Sequence, residues 1–406
     1  MLIRYAWRNL WRNRKRTGIT LGAVVLNTTI LITTYGLMDG MLKRAVGYAT
    51  NLVTGEAQIH GERYRKDRSI YTAVPHPEAA LARADSLGIG AAPRTYVYGL
   101  VSTGTKSAGA LLWGVLPGRE REVFDLARHL AEGRFLGEEA GREVVLGRKL
   151  ARSLHAEVGS ELVCVVQAAD GSLGNDLYRV VGILKSAGEG LDRSAALLHR
   201  DDLGELAVLG SRVHEIAVNS RGSRTPEEIV SLFGPLPSGT EIATWRELLP
   251  SLSDMTRLSQ AALWLFGSIF FVAGALGVMN TMIMATFERF REFGILKAIG
   301  TSPWRIVGSV AAEAFLLVLL GTGAGIVLGA GIAWYLEEYG IDTTRWAETI
   351  TAAGIAFDPV WRATVTWQGI LFPVLALQAS CLLAALYPAA IAARLDPVRA
   401  IEKRPR

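Results

Sequence analysis

Residues 258–287 read LSQAALWLFGSIFFVAGALGVMNTMIMATF, thirty positions without one charged side chain. A helix that crosses a bilayer needs about 20 consecutive apolar residues. Such a helix also satisfies all its backbone hydrogen bonds internally, as hydrocarbon demands. Three further segments carry the same signature: Gly18 to Met38, Pro303 to Leu336, and Gln368 to Ala393. The segment from Pro303 to Leu336 runs for 34 residues, roughly 50 Å at the helical rise, so it should tilt or project beyond the hydrocarbon. A long polar-to-mixed stretch separates the first segment from the other three. The expected fold is therefore an α-helical membrane protein with four transmembrane helices. A large α+β extracytoplasmic domain is inserted between helices 1 and 2.

Half of the chain is hydrophobic and its formal net charge is +5. A basic chain can bind nucleic acid, but here the charges follow the apolar segments. Arg4, Arg8, Arg12, Arg14, Lys15 and Arg16 precede the first. Arg289, Arg291, Lys297 and Arg305 lie between the second and third, and Arg394, Arg399, Lys403, Arg404 and Arg406 follow the fourth. The loop before the fourth is acidic, with Glu337, Glu338, Asp342, Glu348 and Asp358 against Arg345 and Arg362. Excess Lys and Arg mark cytoplasmic segments. Both termini and the short inner loop are expected in the cytoplasm, with the large domain and the acidic loop outside. Nucleic acid is not an expected partner; membrane lipid is. The first segment is too long for a signal-peptide core and no clear small-x-small site follows it, so an uncleaved signal anchor is expected.

The resulting order is a basic segment (1–17), helix 1 (18–41), the outer domain (42–257), helix 2 (258–287), an inner loop (288–302), helix 3 (303–336), an outer loop (337–367), helix 4 (368–393) and a tail (394–406). Within the outer domain, short runs read as strands by alternation and by β-branched or aromatic content: 57–60, 96–101, 143–146, 162–166, 178–183 and 215–218. Asp170 to Asp176 reads as the turn-rich tip of a hairpin. Pro75 to Leu87 and Thr225 to Phe233 read as helices, the second opened by Thr225 followed by Pro226. A flank subdomain (42–115 and 214–257) and an inserted one (116–213) are expected.

Glycines at 321, 325 and 329 form a small-xxx-small ridge, the pattern by which helix backbones approach closely in lipid. Packing within one subunit and a seam between subunits both fit it. The inner loop, Glu288 to Gly300, reads ERFREFGILKAIG. Phe290, Phe293, Leu296 and Ile299 recur at about three residues, the stripe of a short amphipathic helix. Gly300 ends it, and Ser302 with Pro303 opens the next helix. An interfacial anchor and a docking helix for a cytoplasmic motor are both consistent with the stripe.

The sequence holds no catalytic or nucleotide-binding motif. Gly99 to Ser107 approaches a phosphate-binding loop, but Thr105 stands between Gly104 and Lys106. The six histidines (60, 76, 129, 155, 199 and 214) form no HExxH or close pair, so no metal is expected. Cys164 falls in the outer domain and Cys381 in helix 4, so they should not pair; both read as small buried hydrophobes. Glu313 is the one obvious acid in the apolar segments, about ten residues past Pro303, which places it at the interface near the cytoplasmic face. The chain is not expected to be an enzyme, and no cofactor is expected in it.

Glu288-Arg289-x-Arg291-Glu292-Phe293-Gly294-Ile295-Leu296-Lys297-Ala298-Ile299-Gly300 closely resembles the coupling-helix signature of the FtsX/MacB/LolC-LolE superfamily, the type VII ABC transporter permeases. The tail 394–401 is similar to that family's C-terminal motif. Gly18 to Gly22, Met38 to Gly40 and Gly55 to His60 most resemble the lipoprotein-releasing branch. Residues 144–151 with Val158 and Gly159 resemble the inserted outer subdomain.

The resemblance implies a mechanism. Two permease protomers, as a homodimer or heterodimer, sit on two copies of a separate cytoplasmic ABC ATPase, which binds ATP and Mg. Glu288, Arg289, Arg291, Glu292, Phe293, Gly294, Ile295, Lys297, Ala298, Ile299 and Gly300 would couple to that ATPase. ATP-driven closure would be transmitted outside by mechanotransmission, and lipoproteins or other lipophilic cargo would leave the outer leaflet of the inner membrane for a periplasmic carrier. Thr34, Met38 and Met41 on helix 1, with Leu258, Ala261, Ala262 and Leu265 on helix 2, would line the substrate cavity, where flexible Met side chains suit acyl chains. The same resemblance admits an FtsX-like signalling subunit that regulates a cell-wall hydrolase. The branch's carrier-hooking hairpin is Pro-rich and contains Phe, whereas 168–176 contains neither.

Overall fold

The computed structural model describes residues 2–342, 351–352, 355–356 and 360–396. The chain divides into two compact units, residues 1–42 with 256–343 and 360–406, and residues 43–255 with 344–359.

Among the described residues, four helices are long and apolar enough to cross a membrane. They are Arg14–Ala49, Pro250–Glu288, Pro303–Glu338 and Trp367–Ala393. The third begins as read, with Ser302 at the N-cap and Pro303 in the first turn, where a missing N–H costs nothing. Val24, Leu31, Val278, Met282, Leu317, Val318, Leu377 and Cys381 form the core of this unit. A satellite cluster joins Phe293 to Ile306, Val310, Ala389 and Ala392.

The glycine ridge faces the first helix of the same chain. A Cβ at Gly321 would lie 2.7 Å from Val24 Cγ1, at Gly325 2.5 Å from Thr28 Cβ, and at Gly329 3.0 Å from Ile32 Cβ. The ridge therefore closes an intrachain contact, the first of the two readings. Gly325→Val is expected to force the first and third helices apart at about 1–3 kcal/mol, the usual cost of overpacking, read as a lowered Tm in detergent. An unchanged Tm would place the ridge elsewhere.

Polar groups fasten the first helix to the second. Thr20 and Thr281 share a hydrogen bond of 2.6 Å. Asn27 Nδ2 donates to Phe270 O at 2.8 Å, and Tyr35 OH to Leu263 O at 3.4 Å. Such bonds are valuable where no water competes. At the other end of the helix, Thr364 N donates to Gly36 O. A Cβ at Gly40 would lie 2.2 Å from Arg362 O, so only glycine fits there.

The second unit holds a ten-stranded sheet, β1 (Ala57–Gly61), β2 (Gly90–Ser102), β3 (Ser107–Val115), β4 (Leu130–Gly133), β5 (Glu143–Leu146), β6 (Glu161–Gln167), β7 (Leu173–Leu184), β8 (Ala195–His199), β9 (Glu215–Asn219) and β10 (Thr240–Thr244). Its order is β10-β1-β9-β2-β3-β8-β5-β7-β4, with β6 bridging β2 and β7. The β3–β8 and β5–β7 pairs are parallel and the others antiparallel. All six strand-like runs lie in strands. The hairpin tip is shorter than read: Leu173 to Asp176 already pair with β6, which leaves 168–172 as the turn. The first of the two helices read in this unit, Pro77–Leu87, starts two residues later than read, because His76 takes φ +48. The second, Pro226–Phe233, carries a full capping box between Thr225 and Glu228.

Strands β1, β9 and β10 pack Ile59, Ile216 and Val218 against Ile229 and Phe233. The other end of the sheet buries Leu146, Leu150, Leu154, Leu162, Tyr178 and Leu198. Fully buried Arg94 ties 116–213 to its flanks: it bonds Glu120 at 2.6 Å and lies 3.4 Å from Glu215. Its guanidinium also sits over Phe124, 4.3 Å from the ring centroid. Glu215 accepts from Tyr96 OH at 2.9 Å, and Tyr64 stacks between His60 and His214. Glu56, in the Gly55–His60 motif, accepts from Ser220 N and Gly222 N, both at 2.7 Å, and so holds the turn after β9.

Candidate functional site

The inner loop forms a helix, Phe290–Ala298. Its sequence stripe divides in two. Phe293 is buried and Leu296 packs beside it against Ile306 and Val310, whereas Ile299 is 74 % exposed and joins the exposed Ile295. Two apolar side chains thus point away from the protein while two hold the helix to it. Gly294 is buried with Phe293, so it supports this packing rather than the outward face. Arg291, Ala298 and Gly300 are exposed.

Arg289 anchors the start of the helix. Its Nη1 donates to Glu313 at 2.8 Å, its Nη2 to Tyr5 OH at 3.0 Å and its Nε to Glu292 at 3.1 Å. The guanidinium stands 4.9 Å from the Phe293 ring centroid and 5.4 Å from that of Tyr5. Side chains of Arg289 and Glu313 are 3 % and 6 % exposed. The planar guanidinium fixes its donors in a rigid fork that holds these three partners in set directions, a geometry that a lysine's ammonium does not offer. Burial pushes the Glu292 carboxyl up, but bonds from Arg12 and Arg289 outweigh it and leave it below the usual range. Arg12 reaches Glu292 at 2.7 Å and Arg16 reaches Glu288 at 2.8 Å. Arg12 of the N-terminal basic segment therefore also braces the inner helix, and Arg16 the end of the second apolar helix.

Lys297 fixes the other end. Its ammonium donates to Ala393 O at 2.9 Å and Leu395 O at 2.7 Å, carbonyls left open where the fourth helix stops. The tail motif beyond Asp396 lies outside the described residues, as do Arg345, Glu348 and Asp358 of the acidic loop. The N-terminal helix, Leu2–Leu10, buries Ala6 and Leu10 and exposes Tyr5, Trp7 and Arg8. The inner helix is thus held by the N-terminal helix and by the third and fourth apolar helices. Sequence reading missed Tyr5, Arg12 and Glu313 as its partners; the lone acid at Glu313 was the available signal.

The residues read as a substrate cavity are placed as follows. Thr34 and Ala261 are exposed, Leu258 and Leu265 are 70 % and 62 % exposed, and Met38, Met41 and Ala262 are half-buried. A groove of about 250 Å³ runs between the first and second apolar helices, lined by Thr20, Val24, Asn27, Phe270, Gly274 and Val278 among others. None of the seven residues lines that groove. Among the described residues no group of His, Cys, Asp and Glu is arranged to hold a metal ion.

Comparison with known proteins assigns the class. The MacB-like periplasmic core domain family matches residues 17–234, more than half of the chain, and the FtsX-like permease C-terminal family matches residues 264–397. The chain is an ABC transporter permease. It belongs to the MacB-like and FtsX-like family that includes the LolC proteins, and its relatives and apolar helices point to an inner-membrane protein that works with an ATPase. It is 24 % identical to the lipoprotein-releasing system transmembrane protein LolC of Xylella fastidiosa, over 93 % of this chain and 91 % of that one. It is 27 % identical to the macrolide export ATP-binding/permease protein MacB of Wolinella succinogenes, over 98 % of this chain but 60 % of that protein's length. The periplasmic region of MacB from Actinobacillus actinomycetemcomitans overlaps 52 % of this chain and 97 % of its own, at 18 % identity and a TM-score of 0.36.

Proposed function

We propose that this chain is the membrane subunit of an ATP-driven complex that extracts or releases lipoproteins, or other lipophilic cargo, from the outer leaflet of the inner membrane. ATP and Mg are bound by a separate ATPase, two copies of which engage a pair of permease protomers. The domain 42–257 lies outside between helices 1 and 2, both termini are cytoplasmic, and a periplasmic carrier accepts the cargo. The distribution of Lys and Arg supports that orientation. The LolC relative, matched along nearly its whole length, supports lipoprotein as the cargo.

One observation carries the reading: the inner helix is held at both ends by Arg289 and Lys297 while Ile295 and Ile299 face outward. A helix meant only as a lipid anchor has no need of fixed polar ties at both ends. A helix that takes a push from a motor does, since a loose lever dissipates it. The outward isoleucines are the docking contact and the inward Phe293 passes the load to the third and fourth helices.

Ile295→Glu tests this without touching the buried side. An apolar anchor at the centre of an interface is worth about 2 kcal/mol or more, so the variant should hold the ATPase at least tenfold more weakly. Purification of the complex from its native membrane, with mass spectrometry of what accompanies it, reads out both ATPase and cargo. Normal recovery of the ATPase with Ile295→Glu would end the docking reading. Recovery of a wall hydrolase without lipidated cargo would end the extraction reading.

A further inference from the structure

A second groove, of about 330 Å³, opens beside the inner helix on the side opposite the outward isoleucines. Its walls are Tyr5 of the N-terminal helix, Phe293 and Leu296 of the inner helix, and Ile306 at the start of the third apolar helix. Three polar side chains, Thr301, Ser309 and Arg305, interrupt this surface. Ser309 is 8 % exposed, and its hydroxyl has no hydrogen-bond partner among the described residues. Arg305 lies at the exposed rim and meets no carboxylate among the described residues.

A buried hydroxyl without a partner keeps the full cost of leaving water, so such a group points to a ligand atom that completes it. The lining is otherwise apolar, and the volume is within the range of small-molecule sites. A cation at the mouth of an apolar slot selects a molecule with a hydrocarbon body and a negative end. The surroundings say where it comes from. Trp304, next to Arg305, is 81 % exposed, and Trp7 and Trp11 are about half exposed with their ring centroids 6.0 Å apart. Exposed tryptophans flanking an apolar helix mark headgroup level. Arg4 and Arg8, also exposed, add positive charge on the same short helix.

We propose that this groove binds one anionic phospholipid of the cytoplasmic leaflet. An acyl chain lies along Phe293, Leu296 and Ile306. The phosphate is held by Arg305, and the Ser309 hydroxyl donates to an ester or phosphate oxygen. Basic pockets between membrane helices on the cytoplasmic side take anionic headgroups for this reason. The lipid then touches the inward face of the helix whose outward face receives the motor, and becomes part of its seat. The inference rests on the cytoplasmic placement of the inner helix proposed above.

The full chain, reconstituted in nanodiscs of equal phosphatidylglycerol and phosphatidylcholine, is released into detergent and examined by native mass spectrometry for retained lipid. The parent should retain phosphatidylglycerol in preference, and Arg305→Glu should lower that preference at least about fivefold, the worth of one basic side chain near an anionic lipid. Arg305→Lys should keep most of it. Ser309→Ala should weaken retention without changing headgroup preference. A photoreactive phosphatidylglycerol should crosslink within 290–309. Equal retention of the two lipids by the parent, an unchanged preference in Arg305→Glu, or crosslinks confined to other segments would each overturn the site. Lipid retained here by a chain that recovers no ATPase would remove the docking reading and leave the lipid site standing.

Discussion

Glu313→Ala is expected to cost about 3–5 kcal/mol of stability, because it strands the Arg289 guanidinium in a buried place with its principal partner gone. Glu313 and Arg289 lie 2.8 Å apart, and neither side chain has an appreciable route to water. Removing one member of a buried pair exposes the full desolvation penalty of the other. Replacing both together is different: Arg289→Met with Glu313→Met fills similar volume, strands no charge, and should recover most of the loss. Thermal unfolding in detergent compares the three. Coupling should follow another pattern. The double variant folds but lacks the ties from Arg289 to Tyr5 and Glu292, so ATPase stimulation should stay low while stability returns. If the double variant couples normally, the Arg289 network is packing and not a lever. If Glu313→Ala alone melts like the parent, the pair is not buried in the folded protein.

The second large effect belongs to the outer domain. Arg94→Met leaves Glu120, fully buried, and Glu215, nearly so, with no guanidinium between them. The same penalty applies, about 3–5 kcal/mol, raised further by the loss of stacking on Phe124 and Trp113. Hydrogen exchange of the full chain should show lost protection in β1, β2 and β9 and little change in the apolar helices. The pH dependence follows from Glu215. Burial pushes its carboxyl up, but the His60 contact, Arg94 and the Tyr96 hydroxyl outweigh that and hold it below its ordinary value of 4.5. A lowered carboxyl contributes stability that is present above the unfolded value and lost as pH falls through the folded one. The outer domain should therefore weaken below pH 4.5, and Glu215→Gln should flatten that slope. A slope that survives the substitution would assign it to other carboxylates.

Much of the fold was legible because its signals are local. An unbroken apolar run such as 258–287 has one stable solution in hydrocarbon, whatever its neighbours do. The strand 57–60 announced itself by alternation and 178–183 by β-branched and aromatic content, and Thr225 to Glu228 by a cap whose partners are three residues apart. Strands β3, β4, β8 and β10 were not read. Leu130–Gly133 exposes most of its residues, and Ala195–His199 is short and buried along its whole length, so neither shows alternation. They are strands because neighbours pair with them.

The candidate site divides along the same line. The inner helix, its breaker Gly300 and its stripe were visible in thirteen consecutive residues. Which side of the stripe faces the protein was not, since Phe293 and Ile299 look alike until Ile306 and Val310 cover one of them. Nor was the partner of Arg289, because Glu313 is 24 positions away and Tyr5 is 284. By itself the sequence determined the four apolar segments, the outer strands with local signatures and the family, all properties of short contiguous stretches. The tertiary structure alone decided that the glycine ridge closes on Val24, Thr28 and Ile32, that Arg94 spans two parts of the outer domain, and that Arg289 and Lys297 clamp the inner helix at both ends. Close packing and buried charge join residues far apart in the chain, and their energies depend on distance and desolvation, which no local pattern encodes.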